Sequence, residues 1–487
     1  MKRSIISLET AARILWGAAL LSIPVTSFRW FPFLGEARTL VRPLAMYPLG
    51  LLFPVLLFQA WRGGRKINWP GLFIPLGAFV LFIVLSSSIG ILTNPVPLYG
   101  QDYTSRTVRA LVTMLIGLIF FLSAVWMNRT EEDFRFTLKW LLVGLCFNIA
   151  WSAVQAAAFY TGLLEKDMVA EWQLAFSMRQ LDNTRRISGL AFEPAWLAGQ
   201  LATIYLPFLF AAVLINFRLT LNRWLEPVLL ALTLLLLLAT YSRGGLLVTL
   251  AAAGITVFFF GREAMRSAWA WFFDGFHKRI FDVLIRFGMI AAILAALVGS
   301  VFFLSQRNIF RNLLAANTDS LSAYLVGINA GARGAYSAGA WAAYEKYPLS
   351  GAGFGASGLY IYQNLPDWSL TSLPEIARQQ STENRLYPNP KNMYIRLFAE
   401  TGLIGFILYL AFQLYLLGDI FALSRQREPW ARFSAIAGVF AWLGITFYNF
   451  TQDSFATPNI WLVPGIMVGL SVHLAARKPE NSGSKIV

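Results

Sequence analysis

The chain is 487 residues long, 57% hydrophobic and 13% charged, and it carries 40 Phe, 17 Trp and 17 Tyr. A soluble domain, which must cover itself with polar side chains, does not have this composition. With 40 basic against 25 acidic residues the chain is strongly cationic, so an anionic partner at a membrane is expected and a nucleic-acid partner is not.

Several apolar runs approach the ~20 residues a helix needs to cross a bilayer core, among them LAMYPLGLLFPVLLFQAW and LLALTLLLLLAT. Hydropathy and breaker residues predict twelve spans, near 11–27, 44–61, 70–92, 108–127, 136–164, 191–215, 226–240, 244–261, 287–304, 399–417, 434–450 and 458–475. The first run has no small-residue cleavage site and is followed by Arg29 and aromatics, so it reads as a retained helix. Cys146, the single cysteine, lies inside an apolar run, can form no internal disulfide and is expected to pack in the core. Within 262–286, AWAWFFDGFHKRIFDVLIR mixes aromatics with charge as an interfacial helix does. No repeat of fixed period is present. Lys and Arg in RGGRKIN, NRTEEDFR, FRLTLNR, the 262–286 segment and the tail RKPENSGSKIV fall on one side, which predicts cytoplasmic termini. The expected fold is all-α and polytopic, with about 12 transmembrane helices. Nine lie in 1–304, a large partly helical outer loop covers 305–398, three more helices lie in 399–475, and 476–487 form a cytoplasmic tail.

On this topology the outer side holds Arg29, Arg38, Arg42, Arg106, Arg109, Arg179, Arg185, Arg186, Arg243, Arg307, Arg311, Arg333, Arg378, Arg385 and Arg396, with Lys166, Lys346 and Lys391. Orientation does not require them. Each alone reads as a headgroup contact or a solvated charge; as a set they call for an anionic ligand, because guanidinium forks match phosphate oxygens and stay charged when partly desolvated. ATYSRGGLLV places Arg243 in a hairpin of almost no length between two apolar runs. INAGARGAYSAGAWAAYEKYPLSGAGFG puts Arg333 on an Ala- and Gly-rich helical stretch of the long loop. TRRISGLAFEPAWLAGQ brings Arg185 and Arg186 just before a span that opens with Glu193 and Pro194, where proline suits the first helical turn. In KNMYIRLFAETGLIG, Asn392, Arg396 and Glu400 stand at i, i+4 and i+8 and share one helix face, too polar to point at lipid, with Lys391 at its head.

The loop over 305–398 is too long for a passive connector. Its GAGFGASG follows no strand and reads as a turn with close backbone packing, not as a nucleotide-binding loop. Only His277 and His473 exist, both on the cytoplasmic side, so a zinc site or a Ser/His triad on the outer face is excluded and neither metal nor cofactor is expected.

These segments resemble the O-antigen polymerase and ligase family, integral membrane glycosyltransferases of bacterial surface polysaccharide assembly. KNMYIRLFAETGLIG is similar to the family's H-[NSQ]-x9-G-x-x-G motif from Asn392 through Gly402 and Gly405, with Lys391 where ligases carry His. RGAYSAGAWAAYEKYPLSGAGFG resembles the Arg, Trp and P-L-x-G-x-G pattern of the family's outer loop, giving Arg333, Trp341, Pro348, Gly351 and Gly353. YSRGG resembles the S-R-G turn, and RISGLAFEPAWLA the R-x-x-G-x-x-x-E-P segment often seen in polymerases.

The resemblance implies a glycan donor on undecaprenyl diphosphate, bound at the periplasmic face of the inner membrane with membrane lipid around it. An acceptor hydroxyl would attack the anomeric carbon with inversion and without a metal, expelling the lipid diphosphate. Arg243 and Arg333, with Arg185 or Arg186, would hold the leaving group by charge-assisted hydrogen bonds. Asn392, Arg396 and Trp341 would line the substrate. Lys391 would bind diphosphate or orient sugar hydroxyls; acting as a base would require its pKa to be lowered. Glu193 or Glu400 would assist the acceptor. Each carboxylate also has a plainer reading, Glu400 as an i, i+4 partner of Arg396 and Glu193 as a charge at a helix N-terminus. Loss of the motif His together with FEPA favours a polymerase of lipid-linked repeat units, with chain length set by a partner protein. The alternatives are a ligase delivering glycan to lipid A core or protein, and a transporter, which would show paired halves and polar sites near the midplane.

Overall fold

A helix forms in each of the twelve apolar runs: Leu8–Ser22, Met46–Trp61, Phe73–Ile91, Tyr103–Met127, Glu131–Ala156, Pro194–Gln200 with its continuation to Leu214, Leu225–Ala239, Arg243–Phe260, Ile280–Ser305, Met393–Ser424, Pro429–Tyr448 and Leu462–Ala476. The computed structural model describes residues 7–30, 41–62, 70–93, 95–179, 181, 185–220, 222–277, 279–305, 320–327, 330–380 and 387–476. Arg38, Arg307, Arg311 and Arg385 lie outside them. Seven of the described helices are long and apolar enough to cross a membrane, and three more are apolar but shorter. No strand forms among the described residues, only isolated bridges such as Ser27 with Arg42. The protein is an all-α polytopic membrane protein.

The helices are Leu-, Ala- and Phe-rich runs whose ends are marked locally. Thr130 and Asp133 form a reciprocal capping box ahead of Glu131–Ala156, and the same helix closes in a π turn, Ala157–Thr161, stopped by Gly162 at φ 69°. Pro194 sits at the first position of its helix, which also contains a π turn, Leu201–Tyr205. The interfacial stretch is helical over Arg262–Asp274, with Trp269 and Trp271 exposed. Cys146 differs from expectation: it is exposed on the Glu131–Ala156 helix instead of packed inside. An apolar run cannot say which of its faces is core, because lipid accepts the same side chains as a protein interior.

The chain divides into two compact units. The first comprises 1–82, 108–256 and 407–487. In it Trp16 donates to Thr137 Oγ1 at 2.9 Å, Phe134, Phe208, Phe217 and Phe433 cluster, and Trp461 packs against Phe121 and Phe412. The second comprises 83–107 and 257–406. Its core joins Tyr103 to Ala335, Tyr336, Ala340, Ala352, Ile361 and Ala399. The helix Gly331–Lys346 is Ala- and Gly-rich because its neighbours come close: a Cβ at Gly339 would press on the Ile361 backbone. Short helices at Leu321–Gly327, Ser357–Ile361, Asp367–Ser372 and Pro374–Gln380 make the long loop partly helical, as expected.

Candidate functional site

In the first unit the segment from Arg185 to Phe192 is irregular chain that turns at Gly189, and buried polar side chains hold its backbone. Gln155 Oε1 accepts from the N–H groups of Ser188 and Gly189 at 3.1 and 2.9 Å, while its Nε2 donates to the Gly189 carbonyl at 3.0 Å and to Gln173 Oε1 at 3.1 Å. Asn148 Oδ1 accepts from Leu190 N–H at 3.0 Å and Thr26 Oγ1 from Phe192 N–H at 2.9 Å. Gly189 takes φ 56°, and a Cβ there would overlap the Asn148 carboxamide. Non-helical backbone inside a helical bundle needs these partners, since an unsatisfied buried amide costs about 1–3 kcal/mol. Asn148, Ser152 and Gln155 lie at i, i+4 and i+7 on one face of an apolar helix, and all three are buried. The sequence analysis missed them, although polar residues recurring at helical spacing inside an apolar run were a readable signal.

This clamp positions cations. Ile187 N–H bonds Ala239 O at 3.1 Å, and Arg186 Nε donates to the Thr240 carbonyl at 2.9 Å. Arg186 is thereby fixed at the turn between Leu225–Ala239 and Arg243–Phe260. Ser242 Oγ accepts from Gly245 N–H at 3.2 Å and caps the second helix, so Arg243 is its first residue, exposed where the helix dipole already favours an anion. Arg185 is exposed at φ 55°, its carbonyl accepting from the Tyr160 hydroxyl at 2.6 Å. Glu193 occupies the N-cap position before Pro194; its Oε2 meets Arg179 Nη1 at 3.2 Å, with 33% of its side chain exposed. Arg186 is therefore tied to the turn that precedes Arg243, with Arg185 next to it in the chain, and Glu193 follows from the same clamped segment.

In the second unit the two glycine motifs of the sequence interlock. The helix Met393–Ser424 is broken at Gly402, with φ 63° and ψ −166°. An unbroken helix would bond Leu403 N–H to Ala399 O and Ile404 N–H to Glu400 O. Instead Leu403 N–H bonds Pro348 O at 2.8 Å and Ile404 N–H bonds Leu349 O at 3.4 Å, while the carbonyls of Ala399 and Glu400 accept from Ala352 N–H at 2.9 Å and Gly353 N–H at 3.0 Å. Ser86 Oγ bridges Glu400 O and Ser350 O at 2.9 and 2.6 Å. All four of these groups find a partner in the turn. Gly351, Gly353 and Gly402 take φ 70°, 100° and 63°, and a Cβ on them would overlap Glu400 and Thr401, the Tyr103 hydroxyl, and Leu349 respectively. The expected close-packed turn is observed. The helix break was not expected from the apolar run that carries it.

The motif face is organised around Glu400. Asn392 Oδ1 accepts from Tyr394 and Ile395 N–H at 2.9 and 3.3 Å and so caps the helix. Arg396 Nε donates to Glu400 Oε2 at 2.9 Å, and Ser357 Oγ donates to Glu400 Oε1 at 2.7 Å. Both carboxylate oxygens are occupied, and Glu400 is 2% exposed. The value of an exposed i, i+4 pair, a few tenths of a kcal/mol, therefore does not apply; removing one partner of a buried pair costs about 3–5 kcal/mol. Lys391, half-buried at φ 58°, sits between Pro390, whose carbonyl accepts from Ser337 Oγ at 3.0 Å, and the capping Asn392. Arg333, Ser337 and Trp341 lie at i, i+4 and i+8 on Gly331–Lys346. The Ser337 bond and the Trp341 ring, 5.6 Å from Phe398, turn that face toward 390–398, with Arg333 exposed at its near end. Arg333, Trp341, Lys391, Asn392, Arg396 and Glu400 are thus brought to one region. Among the described residues no group of three or more His, Cys, Asp or Glu could hold a metal ion.

Residues 228–410 match the family model described as O-antigen ligase. The matched span holds Arg243, Arg333, Lys391, Arg396 and Glu400 and stops short of the Arg185–Glu193 segment. No curated protein matches the chain.

Proposed function

We propose, from the premise that this chain belongs to the O-antigen polymerase and ligase family, that it polymerises lipid-linked oligosaccharide repeat units. Family membership makes it a membrane enzyme of glycan transfer; the polymerase reading is ours. In this reading the acceptor is a second glycan on undecaprenyl diphosphate. Its hydroxyl oxygen bonds the anomeric carbon of the donor glycan, the bond from that carbon to the diphosphate oxygen breaks, and the electron pair leaves on the diphosphate. The reaction runs at the periplasmic face of the inner membrane, with cytoplasmic termini and a partner protein setting chain length.

The observation that carries the proposal is that each unit builds a cationic cluster with its own support: Arg186 of the clamped segment bonded to the turn before Arg243 in the first, Arg333, Lys391 and Arg396 along the interlocked motif of the second. A polymerase handles two substrates that both end in a lipid diphosphate, and two such clusters suit that need. Arginine forks bind diphosphate oxygens in two places at once and remain charged in a site of lowered dielectric, where they do the work a metal does elsewhere. Glu400 is committed to Arg396 and Ser357, so we assign it the positioning of Arg396. Glu193, one third exposed, is the carboxylate we assign to receive the acceptor proton.

The deciding experiment is the lipid-linked and surface glycan profile of a strain lacking the protein. Surface molecules capped by one repeat or fewer, with single units collecting on the carrier, are the expected result. Long polymer stranded on the carrier would replace the polymerase with a ligase.

A further inference from the structure

The last third of the helix Met393–Ser424, in the first unit, carries a groove that the proposed chemistry leaves unused. It measures about 490 Å³ and is lined by Ala411, Leu414, Tyr415, Gly418 and Asp419, which stand at i, i+3, i+4, i+7 and i+8 and so share one helix face. Open space surrounds Gly418, where a Cβ would meet no atom within 4 Å. The half-exposed Tyr415 ring rests beside Gly71, where a Cβ would come within 3.3 Å of it. Asp419 is partly exposed, and its carboxylate is poorly matched. Its Oδ1 accepts from Ser471 Oγ at 3.4 Å, long for a hydrogen bond, its Oδ2 is buried with no hydrogen bond, and no ion pair among the described residues involves it. A negative charge reached so incompletely by water and by protein partners is weakly screened, and it attracts a cation brought into the groove beside it.

The face also has a direction. Asp419 lies six residues before Arg425, the first basic residue after the helix, a rise of about 9 Å, so the carboxylate stands at the depth of lipid headgroups. Tyr415 is one turn deeper, where a ring with a polar tip is favoured, and Leu414 and Ala411 lead on into the apolar part of the span. A phospholipid with an amine headgroup presents its groups in the same order: ammonium, then phosphate and glycerol, then acyl chain. An anionic headgroup would meet the carboxylate with like charge, and a choline headgroup has no N–H to donate.

We propose that this groove is a binding site for a phospholipid with a primary ammonium headgroup. The ammonium donates to the Asp419 carboxylate from the groove side, and the Tyr415 hydroxyl donates to the phosphate. The chain passes over Gly418, whose missing side chain lets it approach the backbone, and continues along Leu414 and Ala411. The site takes no part in glycan transfer and is independent of the polymerase reading.

The test is native mass spectrometry of the full chain titrated with phosphatidylethanolamine, phosphatidylcholine and phosphatidylglycerol of identical acyl chains. Wild type should bind the ethanolamine lipid about tenfold more tightly than the other two, the scale of one hydrogen bond to a charged group. Asp419→Asn keeps the shape of the side chain and should bring the three lipids within about twofold of one another. Gly418→Leu fills the groove from a position with open space around it, should weaken the ethanolamine lipid to a similar degree, and carries the test if Asp419→Asn does not fold. A wild type without preference for the ethanolamine lipid, or a preference that survives in folded Asp419→Asn, overturns the site. A second copy or another membrane protein that leaves the spectra on Asp419→Asn substitution would give the groove to a docked helix and overturn it as well.

Discussion

Two segments near the candidate cations are held in place by different chemistry. Residues 186–192 of the first unit are gripped by side chains far away in sequence, chiefly Gln155, Asn148 and Thr26. Residues 348–353 of the second unit are gripped by backbone, through the exchange of bonds with the helix broken at Gly402. In the first case the specifying information is a set of amides and hydroxyls; in the second it is the absence of side chains at three glycines. Side-chain grips can be weakened one bond at a time. A backbone exchange that admits no Cβ has no intermediate state, so it should fail as a whole.

That contrast is broken most directly at Gly402. Gly402→Ala must adopt a conformation that is essentially glycine-only, at about 1–3 kcal/mol, while its Cβ overlaps the Leu349 carbonyl. Loss of folded protein in size-exclusion profiles and of surface polymer is expected. Gly254→Ala, on a helix with open space around it, is the control and should be neutral or slightly stabilising. Normal folding of Gly402→Ala would show that the exchange tolerates a side chain. The next largest effect belongs to Glu400, a side-chain anchor in the backbone-held region. Glu400→Gln keeps the shape but leaves Arg396 as a buried cation, and should cost about 3–5 kcal/mol, seen as a lower melting temperature with polymer yield falling alongside it. An unchanged melting temperature with activity abolished would make Glu400 a catalytic base instead of an anchor. Gln155→Leu should be smaller for each bond lost, about 1–3 kcal/mol for every buried backbone group left unpaired. The protein should still reach the membrane, melt earlier and make less polymer. Wild-type activity in this variant would mean that the clamp does not serve Arg186.

The sequence carried the helices well because long apolar runs leave little choice of structure, and it carried the shared face of Asn392, Arg396 and Glu400 because helical spacing brings them together. What it did not carry depends on which way an apolar helix faces. Cys146 is expected in the core and is exposed; Asn148 and Gln155 drew no reading and are the clamp. Gly402 was read only as a motif position, since a glycine inside an apolar run is compatible with helix and only the partner turn at 348–353 shows that the helix stops there. The depth of the Arg396–Glu400 pair was likewise hidden: spacing shows that two residues meet, and burial decides what the meeting is worth.

Lys391 gives the finest test, because its backbone is fixed by neighbours while its side chain carries the function proposed for it. Pro390 is tied to Ser337 and Asn392 caps the following helix, so the left-handed conformation at Lys391, φ 58°, is imposed from both sides. Histidine is among the residues that accept this conformation most readily, so Lys391→His should fold as wild type does. Its charge, however, is conditional. An imidazole is cationic only below its ordinary pKa of about 6.5, and a bound diphosphate would raise that value, since an opposite charge favours the protonated form. The variant should therefore work best at mildly acid pH and lose activity as pH rises through neutrality, by a few-fold relative to the wild type measured alongside it. It should not transfer glycan to lipid A core, because one side chain at the head of the motif does not remake the cavity that selects the acceptor. A flat pH profile in Lys391→His would remove the cationic role from this position, and ligase product would mean that acceptor choice is written in the motif after all.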